Sequence, residues 1–287
     1  MSRRTKRLAK HEKRSKRASL FHQYFERVNN ITKYGESRHG YGGSKKDLPY
    51  IVSKGTRETY LSAGKRFTKW LKRQQDCPKQ LNEVTVDMVR RFFAETDNSS
   101  YTQHADRSAL CKVLGFKPQQ IPLQSRRKAD ITRSRGTTKQ VARSAREAAR
   151  NPVLRDFLLA TGLRRTEAQR LRGEHIDLEA GTIYVARGKG GRSRIVPIRS
   201  DMLERVQELG LPEKGKVFGA IPKNFDVHAH RREYAQAVFS ELSGGLNYHE
   251  AKEILPRRKL NRLCGEVAAR LGHGRGRVRV VIDHYLT

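Results

Sequence analysis

Leu20, Phe21, Tyr24, Phe25, Val28 and Ile31 recur at steps of three and four residues, with Ser19 directly ahead of them. This spacing predicts an amphipathic helix capped by the serine. Gly35, Gly40, Gly42 and Gly43 then break the pattern. The apolar stripe of such a helix must be covered, either by its own chain or by a partner surface in an assembly. From 54 to 122 the period stays helical. Tyr60, Ala63, Phe67, Trp70 and Leu71 mark one face of a first helix with Thr56 as its cap. Thr85 caps a second, with Val89, Phe92 and Phe93 facing inward. Tyr101, Ala105, Ala109, Val113 and Leu114 mark a third that ends near Gly115, and Pro118 and Pro122 close the unit.

Beyond residue 137 the pattern mixes. Helical periods over 138–149 and 152–160 give way to two β-rich runs, Thr182 to Val185 and Arg194 to Ile198. Arg187-Gly188-Lys189-Gly190-Gly191-Arg192 lies between them, so the pair reads as a hairpin with a glycine-rich basic tip. Helical periods return at 201–209, 227–242, 247–255 and 260–271, with a last segment near 277–286. The chain is therefore expected to be mainly α with a small antiparallel β-sheet. Its expected parts are a basic N-terminal arm with the amphipathic helix (1–46), a helical domain (47–122), a basic linker (123–136) and an α+β domain (137–287).

Charge changes this picture from a fold to a partner. The 287 residues hold 61 Lys and Arg against 29 Asp and Glu, a net of +32. An excess of that size repels itself in a compact state, and an anionic partner relieves it. The excess is also clustered. Residues 1–17 carry nine basic residues and one acid, and residues 123–150 carry nine and two. The first block has too little apolar content to fold alone and reads as an arm that contacts phosphates. The second reads as a linker running into a basic helix. Lys65, Lys69, Lys72 and Arg73 on the first helix of the helical domain are the candidate DNA-facing charges, with Arg126, Arg127 and Lys128 in the linker and Arg192 on the hairpin tip.

Other classes are excluded or disfavoured. No run approaches 18 apolar residues, and no apolar segment follows Met1, so neither a transmembrane helix nor a secretory signal is expected. Cys77, Cys111 and Cys264 are isolated and form no CxxC pair, which argues against a zinc site or a disulfide scaffold. A cytoplasmic, nucleoid-associated protein is expected. His228 and His230 alone do not make a metal site, so no metal is expected there. GKGG lies between strands without the spacing of a nucleotide-binding loop, so no cofactor is expected either.

Four features in the α+β domain do carry chemistry. Thr161-Gly162-Leu163-Arg164 precedes Arg165-Thr166-Glu167, which opens a predicted helix ending near Leu171-Arg172, and Glu167, three residues on, can hold the guanidinium of Arg164. Lys189 sits on the hairpin tip. His228 and Arg231 share one face at the start of the 227–242 helix, followed by Tyr234-Ala235. Leu271-Gly272-His273 is followed by Tyr285, the only tyrosine after that histidine. Two arginines can bracket the oxygens of one phosphodiester and stabilise its pentacoordinate transition state. A lysine and two histidines can move protons, and a tyrosine hydroxyl can form a covalent phosphotyrosine.

In this order, TGLR, GKGG, HxxR with Tyr-Ala, LGH and a late tyrosine, the chain resembles the tyrosine recombinase (phage integrase) family, through motifs spread over 150–287. The helical unit is similar to that family's core-binding domain. The resemblance implies that Arg164, Lys189, His228, Arg231, His273 and Tyr285 are catalytic, with Tyr285 as the nucleophile and Lys189 the acid for the 5′ oxygen. It also implies double-stranded DNA at specific sites as partner, a homotetramer on DNA, and an accessory DNA-bending protein. Integration and excision of a mobile element is the expected role. A type IB-like topoisomerase or resolvase, and a non-catalytic DNA-binding relative, are the alternatives.

Two departures stand out. His230 occupies a position where the HxxR box commonly has leucine, and the interval from His273 to Tyr285 is a few residues long. Many relatives also continue past the tyrosine into a helix that docks on a neighbouring subunit. Here the sequence stops at Thr287, which reads as a different assembly or a truncated chain.

Overall fold

A computed structural model of the chain describes residues 19–36, 48–126, 138–186, 188 and 193–287. These fall into two compact units, divided between Arg133 and Ser134. Residues 1–17 and the candidate charges Arg127, Lys128, Lys189 and Arg192 lie outside the described residues.

The first unit is helical: α1 (Leu20–Asn30), α2 (Lys54–Leu71), α3 (Val86–Glu95) and α4 (Ser100–Leu114). Ser19 and Thr85 cap α1 and α3 as their spacing predicts, each accepting a backbone N–H three residues on. The cap of α2 is Ser53 rather than Thr56. Its hydroxyl accepts the N–H of Thr56, and the helix starts at Lys54. The stripe of α1 is covered by its own chain: Leu20, Tyr24 and Val28 join the core formed by Phe67, Leu71, Val89, Phe92 and Leu110. Arg57 on α2 fixes the crossing by donating to Asn29 and lying over the Phe25 ring.

On α4 the buried face is rotated from the expected one. Tyr101 is exposed and Asp106 is buried, because Arg66 on α2 reaches across to pair with the Asp106 carboxylate in a two-pronged contact. Gly115 in the left-handed conformation ends the helix where expected. Lys65, Lys69, Lys72 and Arg73 are all exposed along one stripe of α2 and its C-terminal end, whereas Arg126 lies 5.5 Å over the Tyr101 ring.

The second unit begins with α5 (Thr138–Arg150), α6 (Pro152–Thr161) and the single turn α7 (Arg165–Ala168). The pattern predicts a longer helix here, reaching Leu171. Strands β2 (Thr182–Val185) and β3 (Arg194–Pro197) form the expected hairpin, with Ile183 opposite Val196. A two-residue strand, β1 (Ile176–Asp177), adds an edge that was not expected and completes a three-stranded antiparallel sheet. Helices α8 (Leu203–Gln207), α9 (Val227–Ser243), α10 (Tyr248–Ile254) and α11 (Arg257–Arg270) follow, and then α12 (Val278–Val281). The chain closes in a π turn over Ile282–Leu286 that carries Tyr285. Two apolar clusters hold this unit. One joins α6 to the sheet through Phe157, Ile183, Val196 and Phe225, and the other packs α9 on α11 through Tyr234, Val238, Cys264 and Val267. Among the described residues no helix is long and apolar enough to cross a membrane.

Candidate active site

The site grows from the C-terminal end of α6. Gly162 ends that helix at φ +57°, a conformation that disfavours any side chain. A Cβ there would also overlap the Tyr234 ring of α9, so this glycine and this tyrosine require each other. The turn aims the Gly162 carbonyl at α9 and delivers Arg164 as the cap of α7. Glu167 closes a box on it: one carboxylate oxygen accepts the Arg164 backbone N–H at 2.9 Å, and the other accepts its Nη1 at 2.8 Å. Arg164 Nη2 donates onward to the Gly272 carbonyl at 3.3 Å.

Helix α9 starts at Asp226, which caps it by accepting the N–H groups of His228 and Ala229 at 3.0 and 3.1 Å. Arg165 steadies the approach, donating to the carbonyls of Ile221, Pro222 and Phe225. From this helix Arg231 enters the interior, where it is 1% exposed. Its guanidinium bonds the carbonyls of Gly162 and Leu271, lies 3.5 Å from His273 Nε2, and donates from Nε to the Tyr285 hydroxyl at 3.3 Å. The same hydroxyl is 3.4 Å from His273 Nε2. One arginine thus joins the turn after α6, the turn after α11 and the terminal tyrosine.

The long interval between His273 and Tyr285 is taken up by α12 and the π turn. A π turn admits an extra residue without breaking the helix, and here it carries the tyrosine that Arg231 holds.

The electrostatics are lopsided. Arg164, Arg194 and Arg231 converge on the single carboxylate of Glu167 or on backbone carbonyls. Burial pushes the Arg231 guanidinium down to about 10, with the nearby Arg164 charge acting in the same direction, so it remains cationic at neutral pH. Burial alone would raise Glu167. Hydrogen bonds from Arg194 and Arg164 outweigh it and hold the carboxyl at about 2. A cluster with this cationic surplus suits an anion.

Because Glu167 titrates lower in the folded than in the unfolded chain, its stabilisation is complete above about 4.5 and lost as pH falls through about 2. Glu167→Gln should therefore cost about 3 kcal/mol at pH 7 by chemical denaturation. The gap between the two proteins should narrow as pH falls from about 4.5 toward 2. A gap that does not vary with pH would remove the charge-based account of this pair.

Residues 137–218 match the family model of the phage integrase family. That stretch of the chain is a phage integrase family domain. The matched segment contains Arg164, Glu167 and Lys189 and stops short of His228, Arg231, His273 and Tyr285. The chain is 35% identical over 77 residues to tyrosine recombinase XerC of Pseudomonas putida, covering 25% of each protein. It is 32% identical over 126 residues to the shufflon-specific DNA recombinase of Escherichia coli, covering 39% of this chain and 33% of that one. These matches span a quarter to a third of the curated relatives' length. Among solved structures, it is similar to the Tn1549 transposon integrase in complex with transposon right end DNA (TM-score 0.48, 14% identity, 94% and 95% of the two chains). It is also similar to XerA recombinase (TM-score 0.33, 15% identity, 94% of each).

Of the residues expected in a tyrosine recombinase site, Arg164, Glu167, Arg231, His273 and Tyr285 are brought together. His228 is exposed at the start of α9, and Lys189 lies outside the described residues. His230, the departure in the HxxR box, is a core residue. It packs on the Phe225 ring at 5.1 Å with Nδ1 3.7 Å from the Glu233 carboxylate, and among the described residues its ring nitrogens make no hydrogen bond; burial pushes its pKa down against the pull of Glu233 and Asp226. Sequence reasoning missed Arg194, which grips Glu167 through two bonds of 2.9 Å. Strand alternation could have found it: Arg194 shares a face with Val196, which is buried.

Proposed function

We propose that this chain is a site-specific DNA recombinase that cleaves and rejoins DNA through a 3′-phosphotyrosine intermediate, in the integration or excision of a mobile element. The observation that carries this reading is the Tyr285 hydroxyl held 3.3 Å from Arg231 Nε and 3.4 Å from His273 Nε2 within one chain. In the free protein the phenol and His273 occupy the Nε–Nη2 edge of Arg231. A phosphodiester that takes this edge releases the phenol toward phosphorus, while Arg164 neutralises a second non-bridging oxygen. The Tyr285 oxygen–phosphorus bond forms as the phosphorus–O5′ bond breaks. The phenolic proton passes to His273 Nε2, and the 5′ oxygen takes a proton from Lys189, with His228 as the other histidine of the set. The phosphotyrosine conserves the bond, so attack by another strand's 5′ hydroxyl reseals DNA without ATP and frees the tyrosine. The partner is double-stranded DNA at specific sites, engaged through the basic stripe of Lys65, Lys69, Lys72 and Arg73 and the charges from Arg126 to Lys128. A homotetramer and an accessory DNA-bending protein complete the assembly.

The test is a duplex from the sequence flanking the gene, nicked near the cleavage point so that the cut strand diffuses away. A denaturant-resistant adduct should accumulate, at the same rate in EDTA. Strict dependence on Mg²⁺ would instead favour a metal nuclease. No adduct on any flanking sequence would favour a non-catalytic DNA-binding protein. Adduct with relaxation but no exchange between sites would favour a type IB-like topoisomerase.

A further inference from the structure

We propose that Arg194, the first residue of β3, is a positioning residue: it locks the carboxylate that holds Arg164 and so ties the base of the basic hairpin to the cleavage site. This rests on the strand-cleaving reading above and deepens it. Arg194 Nη1 and Nη2 each donate to a different oxygen of Glu167 at 2.9 Å, a parallel two-pronged pair. The same two oxygens accept from Arg164, at 2.8 Å from Nη1 and 2.9 Å from the backbone N–H. Four donors fill the acceptor sites of the carboxylate and leave it no freedom to turn. Arg164 is thereby fixed with its Nη2 toward the Gly272 carbonyl.

Arg194 also touches the third strand of chain in the site. A Cβ on Gly272 would lie 2.7 Å from its Nε and 2.8 Å from its Cζ, so the guanidinium rests directly on this glycine. Gly272 stands between Leu271, whose carbonyl accepts from Arg231, and His273. One side chain therefore meets the Arg164 turn, the His273 turn and the strand that follows the hairpin tip, where the sequence puts Lys189 five residues earlier.

Packing alone does not account for an arginine here. Its Nε is buried with no hydrogen-bond partner among the described residues, a cost that an apolar side chain on this strand face avoids. Lysine could supply the charge but not the fork that matches a carboxylate. What the guanidinium adds is geometry and a second positive charge on Glu167, which leaves Arg164 to serve an incoming anion.

The experiment uses the full chain and two readouts. The Glu167 carboxyl, followed by carbon NMR of Glu-labelled protein, should stay ionised from pH 7 to pH 4 in wild type and titrate within that range in Arg194→Met. Single-turnover adduct formation on the nicked duplex should fall about 100-fold in Arg194→Met, while duplex affinity stays within about threefold. Arg194→Lys should recover about tenfold of the loss, and it carries both readouts should the methionine variant fail to fold. Added to Glu167→Gln, Arg194→Met should cost less than about threefold more, because both act through one contact. Three results would overturn the proposal: a Glu167 that stays ionised to pH 4 in the variants, an undiminished cleavage rate, or a full additional loss on Glu167→Gln. A wild type that never forms adduct sinks the strand-cleaving reading instead, and the titration still decides whether Arg194 sets Glu167.

Discussion

Tyr285→Phe will bind the duplex as wild type does and will form no covalent adduct, a loss greater than about 1,000-fold in single-turnover cleavage. The substitution removes one oxygen and keeps the ring that lies 5.5 Å from the Arg231 guanidinium and 5.7 Å from the His273 ring. Its structural cost is therefore small. Arg231 Nε loses a partner while the other contacts of that guanidinium remain, a penalty of about 1–3 kcal/mol. That penalty lowers the melting temperature by several degrees and does not touch a DNA surface. The chemical cost is total, since Tyr285 is the only tyrosine downstream of His273. Denaturing gels and peptide mapping read the adduct, and a mobility-shift titration reads binding. Adduct in the phenylalanine variant would remove Tyr285 as nucleophile. Loss of binding together with cleavage would make the tyrosine a structural residue.

What could be read from the chain beforehand follows the range of the forces involved. Caps and helical stripes are local: Ser19, Thr85 and Gly115 act within a turn of themselves, and their spacing predicted the helix ends the structure shows. The face of α4 was misplaced because Asp106 is buried by a partner forty residues earlier, Arg66, which no window on α4 contains. The same division runs through the site. Arg164 and Glu167 are three residues apart and were legible as a pair. The second grip on that carboxylate comes from β3, and the carbonyls of Gly162 and Leu271 that seat Arg231 have no signature in residue type. The short α7 and the π turn under Tyr285 escaped for a related reason. Each departs from the 3.6-residue period to satisfy a tertiary contact, and a period alone cannot announce its own interruption.

Replacement of Arg231 will separate fold from chemistry only if charge is kept. Arg231→Ala empties a fully buried position and leaves the Gly162 and Leu271 carbonyls without their donor, a cost of about 1–3 kcal/mol for each orphaned group in addition to the cavity. Cleavage will fall below detection, but part of that loss is a turn after α6 and a turn after α11 that no longer meet. Arg231→Lys is the sharper variant. A lysine ammonium has three donors from one point and cannot span two carbonyls, a histidine and a phenol that the guanidinium reaches together. The expected result is a protein within about 2 kcal/mol of wild-type stability, with duplex affinity little changed and adduct formation slowed by about 100- to 1,000-fold. Charge alone would then be insufficient, and the two-pronged hold on the phosphate would be the quantity lost. Cleavage at the wild-type rate in Arg231→Lys would refute that account. It would leave Arg231 as the pin that joins Gly162 to Leu271, and the transition-state charge would fall to Arg164 alone.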